Sequence, residues 1–174
     1  MVKDNHSRKP DHTSHGEGPF YSALESGLRA LCVLYEAFPQ SFDTQRLVFF
    51  DYLVVHSGDV EDGPKSLHPA TPFRSNEWVV RRHLVDRGLR LLVERGLVMP
   101  QLTDAGIFFV ASETAGAFVA CLVEPYTKEL KKRARWVVKS FGQTEEGELI
   151  DFFNRNLDRW GAEFEQLGDW EAEL

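Results

Sequence analysis

Residues 45–55, QRLVFFDYLVV, restrict the architecture more than any other part of the chain. Asp43 or Thr44 can cap a helix there, and Gly58 closes it. Leu47, Val48, Phe49, Phe50, Leu53, Val54 and Val55 surround most of its circumference. A helix apolar on nearly every side has no face to give to water, so other elements must enclose it. Asp51 interrupts the run, which falls far short of the about 20 apolar residues of a bilayer span. The expectation is a central core helix in a soluble protein without membrane contact.

The flanking segments supply the enclosure. Leu24, Leu28, Leu31, Tyr35 and Phe38 recur at steps of four and three, predicting a helix that buries this stripe and stops at Pro39. Ser75 or Asn76 can cap a long helix to Arg95, with Gly96 just past its end. On its wheel Trp78, Val80, Leu84, Val85, Gly88, Leu89, Leu91 and Leu92 form the apolar half. A glycine inside a helix costs about 1 kcal/mol relative to alanine, so Gly88 predicts the close approach of another backbone. Arg81 falls in that apolar half and needs a carboxylate, from Asp51 or Asp59. Arg81 with Asp51 is the structural ion pair expected.

Beyond Gly96, Leu97-Val98-Met99 followed by Pro100 suits an edge strand, residues 103–106 a turn, and Ile107-Phe108-Phe109-Val110 the return strand. Ser112 can cap the next helix, carrying Phe118, Val119 and Leu122. Residues 126–141 bury Leu130, Ala134, Val137, Val138 and Phe141 and show Lys128, Lys131, Lys132, Arg135 and Lys139. Thr144 caps a last helix with Leu149, Phe153, Leu157, Trp160, Phe164 and Leu167 in one stripe.

The length of 174 residues and a hydrophobic content of 43% suit one core. Residues 1–18 read as a disordered polar tail, 19–142 as the folded domain with an ordered 56–75 loop inserted, and 143–174 as an acidic amphipathic C-terminal helix. That last segment holds ten acids against two bases, −8, which leaves +1 on the rest of a chain whose net charge is −7. Cys32 and Cys121 lie in apolar helical patterns and read as buried, reduced thiols, and Met1 to His6 lack the apolar stretch of a signal peptide. Both point to the cytoplasm.

The order helix, loop, helix ending in RGLV, hairpin, then ASETAGAF opening another helix is that of a winged helix. The expected fold class is mainly α with a small β-hairpin (α+β): a winged-helix-like core with additional N- and C-terminal helices. As a DNA reader it is poorly equipped, because residues 101–106 of the wing contain no Lys or Arg and Asp86 and Glu94 dilute the bases of the long helix. Arg82, Arg87, Arg90, Lys131, Lys132 and Arg135 are the candidate DNA or phosphate contacts. His56, Asp59 and His68 share one loop, yet their spacing matches no metal-ligand frame. The HSGD tetrad at 56–59 has no nucleophile elbow, and no phosphate-binding loop or dinucleotide fingerprint occurs. No catalytic residue, metal or cofactor is expected.

The stretches QRLVFFDYLVVHSGDV, SLHPATPFRSNEWVVRRHLVDRGLRLLVERGLV, ASETAGAFV and RARWVV resemble the middle component of bacterial ABC-three-component (ABC-3C) conflict systems, the class that includes Lamassu-type anti-phage operons. The resemblance covers about residues 22–141, and the loop at 56–75 is its most specific part. It implies a non-enzymatic adaptor between an SMC- or Rad50-like ABC ATPase, which engages DNA, and an effector subunit such as a nuclease. Contact of the adaptor with DNA would be indirect. His56, Asp59, Leu67, His68, Phe73 and Arg74 in the loop, with Phe153 and Trp160 on the last helix, are the expected partner-binding residues. The alternative is a winged-helix transcription regulator with the 75–95 helix in the major groove.

Overall fold

The computed structural model describes residues 22–69 and 75–157. Its elements are α1 (Ala23–Ala37), β1 (Phe42–Asp43), α2 (Thr44–Val55), a 3-10 turn (Ser57–Asp59), α3 (Ser75–Glu94), β2 (Val98–Thr103), β3 (Gly106–Ala111), α4 (Ala115–Ala120), α5 (Pro125–Phe141) and α6 (Glu146–Leu157). The protein is thus mainly helical with one small sheet. α2 is the axis: Asp43 caps it by accepting from the Arg46 amide at 2.8 Å, and residues 47–55 are all buried. α1, α3 and α5 enclose it, and Leu149 and Phe153 of α6 close the remaining side.

α1 packs on α3 backbone to backbone. A Cβ on Gly88 would stand 2.5 Å from the Gly27 nitrogen and 2.6 Å from the Ala23 carbonyl oxygen. The close approach expected at Gly88 is present, and its other half is Gly27. This contact overturns the stripe expected on α1. Turning Gly27 and Ala30 toward the body buries Leu31, Cys32, Val33, Leu34 and Ala37, and rotates Leu24 (71% exposed), Tyr35 (41%) and Phe38 (54%) outward. On α3 the buried line runs through Trp78, Arg81, Val85, Gly88, Leu89 and Leu92, leaving Val80 and Leu91 exposed at its margins.

The hairpin forms as expected, with Val98 opposite Ala111 and Leu102 opposite Ile107. A third strand had no sequence signal: Phe42 and Asp43 pair antiparallel with Phe109 and Phe108, giving the order β1-β3-β2. Two residues carry no alternation to read, and Asp43 already served as a cap. Gly96 adopts φ +67° and the Leu97 amide reaches back to the Leu92 carbonyl, which turns the chain from α3 into β2. Ser112 does not cap α4. Its hydroxyl, with that of Thr114, donates to the Gly96 carbonyl and ties the hairpin base together. Cys32 is buried, which pushes its thiol up to about 12, whereas Cys121 is exposed because α4 ends at Ala120.

Candidate functional site

One carboxylate organises the polar interior. Asp51 projects from the otherwise apolar α2 and is 1% exposed. Arg29 of α1 donates through Nε to Oδ1 at 2.5 Å, and Arg81 of α3 through Nη1 to Oδ2 at 2.6 Å, each arginine being 4% exposed. The Ser26 hydroxyl accepts from Arg29 Nη2 at 2.9 Å. The Arg81 guanidinium lies 5.5 Å over the Tyr52 ring, whose hydroxyl donates to Asp59 Oδ2 at 2.5 Å. Three helices and the start of the 56–69 loop therefore share a single ionic node. Burial alone would raise the Asp51 pKa, but the two guanidiniums outweigh it and hold the carboxyl below its ordinary value. The sequence placed Arg81 and Asp51 together but missed Arg29. Arg29 stands about 160° round the α1 wheel from Gly27, on a side buried with Cys32 and Val33, so the small-residue face gave no signal for it.

Two histidines sit above the node. His56 is buried, its ring tilted 34° against Tyr52 at 4.8 Å and edge-on to His68 at 6.2 Å. Burial first, then the charges of Arg81 and His68, push His56 down to about 3. Burial with the Arg29 and Arg81 charges pushes half-buried His68 down to about 4. His68 Nε2 lies 3.0 Å from the Tyr126 hydroxyl of α5, and the two rings stack. Both imidazoles are neutral at pH 7, as two positive charges nearby require.

The loop is folded onto this cluster by its own backbone. The Leu67 and His68 amides both donate to the Val55 carbonyl, at 2.9 and 3.1 Å, and the Ser66 hydroxyl accepts from the Gly58 amide at 3.0 Å. A Cβ on Gly63 would stand 2.0 Å from the Ser57 carbonyl oxygen, so the return of the chain there needs glycine. Arg133 of α5 clamps the Lys65 carbonyl at 3.0 Å.

This geometry redistributes the expected contact residues. His56 is buried, and Asp59 and Leu67 are half-buried against Tyr52 and the core, because the node beneath them needs neutral or anionic partners. The loop shows Glu61, Asp62, Lys65 and Pro69 outward instead. Phe153 is fully buried, 4.2 Å from the Phe49 ring and 5.9 Å from Trp78. It is a core residue and cannot meet a partner in the folded chain. Phe73, Arg74 and Trp160 lie outside the described residues.

The six phosphate-contact candidates are not brought together. Arg82 and Arg87 stay on α3 with Arg90, which pairs with Asp86 at 2.7 Å. On α5, Lys131 donates to the Leu122 and Val119 carbonyls at the end of α4, Lys132 pairs with Glu129, and Arg135 grips Glu36 of α1 with two nitrogens. The hairpin offers a different surface. Leu102 is 86% exposed opposite exposed Ile107, Met99 is exposed on the other face of the strand, and residues 98–111 contain no Lys or Arg. Among the described residues no group of three or more His, Cys, Asp or Glu side chains could hold a metal ion. No described helix is long and apolar enough to cross a membrane.

The described residues form a mainly helical α+β domain whose ionisable interior locks its own elements and whose hairpin presents apolar side chains. The family model for the ABC-three component (ABC-3C) system Middle Component 2 matches residues 19–163, and the chain belongs to that family. No curated protein and no solved structure matches it. The match runs past the expected limit of 141 and takes in α6, consistent with the seat of Phe153 in the core. As a middle component, the protein is one part of a multi-component ABC system, and its partners are proteins.

Proposed function

We propose that the chain is the non-enzymatic winged-helix adaptor of a Lamassu-type defence complex in the cytoplasm, joining an SMC/Rad50-like ABC ATPase to an effector such as a nuclease. The order α1, β1, α2, α3, β2, β3 with sheet order β1-β3-β2 supports the winged-helix reading. The observation that carries the adaptor role is the wing itself. Leu102 and Ile107 stand directly opposite each other and exposed, where a DNA reader would place phosphate-binding donors. Paired apolar side chains on a rigid hairpin suit a pocket on another protein. The hairpin edge is a poor docking element, since Pro100 interrupts the row of donors on the outer strand.

The test is coexpression with any SMC/Rad50-like ABC ATPase found among the neighbouring genes and capture through a tag on this chain. Leu102→Lys with Ile107→Glu, an opposite-charge pair across the strands, is expected to abolish recovery of the ATPase while the unfolding free energy stays within about 1 kcal/mol of the parent. Full recovery with the double substitution would remove the wing from the interface. The alternative, a transcription regulator, draws on exposed Arg87 and Arg90 of α3, and fails if the purified chain shifts no promoter fragment at low salt.

A further inference from the structure

The outward turn of α1 leaves a groove between α1, α4 and α5. Tyr35, Val119, Ala120 and Pro125 form its floor and Lys128, Lys132 and Arg135 its rim, around a volume of about 650 Å³. Tyr35 also borders a second recess of about 490 Å³ with Phe38 and Gly116, so the two form one track along α4. Four bases against Glu36 and Glu129 line the first recess and Glu113 lines the second, a net +1 for the track with the bases all in the first recess. Tyr35 and Phe38 lie exposed in the floor.

The remainder of the chain carries the opposite charge. Residues 158–174, DRWGAEFEQLGDWEAEL, contain six acids and one base, with Trp160, Phe164 and Trp170 among them. Seventeen residues at about 3.3 Å each extend over 50 Å. A body of this size has a radius of gyration of about 14 Å, so the tether from Leu157 has the reach in extended form, whereas the helix read from its stripe would span only about 25 Å. We propose that residues 158–174 seat in this groove on the same chain, acids on Lys128, Lys132 and Arg135 and rings on Tyr35 and Phe38. The Lys132 and Arg135 pairs with Glu129 and Glu36 are largely solvent-exposed on the basic side and exchange cheaply. Tethering supplies an effective concentration of about 1 mM, so an intrinsic affinity of only ~0.1 mM favours the seated form about tenfold.

Zero-length carbodiimide coupling of lysine to carboxylate, applied to the full-length chain at micromolar concentration and read by peptide mapping, tests this. Expected are intrachain amides from Lys128 and Lys132 to Glu163, Glu165, Glu171 or Glu173, about tenfold above those from Lys65 or Lys139. Phe38→Ser, and separately Trp160→Ser with Phe164→Ser, retain every lysine and acid of the proposed contact. Each should lower those yields several-fold with an unchanged urea midpoint. Equal yields at all four lysines, products that bridge two chains, or yields indifferent to the ring substitutions would each overturn the proposal.

Discussion

Replacing Asp51 by Asn keeps the side-chain shape and strands two guanidiniums in the interior. The expected loss is about 3–5 kcal/mol, the usual result of removing one member of a buried ionic group, read as a lower urea midpoint or as insoluble protein. His56 sets the response to acid. Its folded pKa of about 3 lies below the ordinary 6.5, so the unfolded chain takes up the proton first. The stability this gives is complete above pH 6.5 and is lost as pH falls toward 3. By pH 5 the loss amounts to about 2 kcal/mol, well before ordinary carboxylates titrate. His68, held down to about 4, titrates over the same range, so His56→Gln should roughly halve the fall in the urea midpoint between pH 7 and 5, and an unaltered slope would locate the acid sensitivity elsewhere. At this scale half of the node was legible. Arg81 betrayed itself as a charge among apolar neighbours, whereas Arg29 sat in a helix whose large side chains pointed to the wrong face.

At the scale of elements, α1 and α3 meet through Gly27 and Gly88, and Gly88→Ala tests that contact. Alanine favours the helix by about 1 kcal/mol, but its Cβ would press on backbone atoms of α1 that cannot rotate away. A net loss of about 1–3 kcal/mol is expected by thermal or urea denaturation, and a gain in stability would disprove the close approach. Gly27→Ala, with its nearest backbone contact at 3.1 Å, should be milder. Helix positions, the hairpin and the centrality of α2 could be read from the sequence, since each rests on a local period or a local breaker. The rotation of α1 could not, because contact between small residues sets it and periodicity weighs only large ones. β1 escaped for a related reason. Its pairing partner, Phe108-Phe109, lies more than sixty residues away in sequence.

For the whole molecule, the division between a nearly neutral body and an acidic end was visible in composition alone. Which surfaces face outward was not: the loop turned its histidines to the interior, and the apolar pair on the hairpin emerged only with its register. The carboxylate shared by α1, α2 and α3 also governs how the body comes apart. Moving α2 away alone would strand two guanidiniums, and moving α1 or α3 away alone would break a buried charge-assisted bond to Asp51, so the three should open as one cooperative unit. Amide hydrogen exchange at Leu31, Leu53 and Leu89 is then expected to report opening free energies within about 1 kcal/mol of one another. A much faster exchanger among them would show that the node does not couple the helices. Through Asp51 a pull on the hairpin passes from α3 to α2 and α1 along two short ionic bonds.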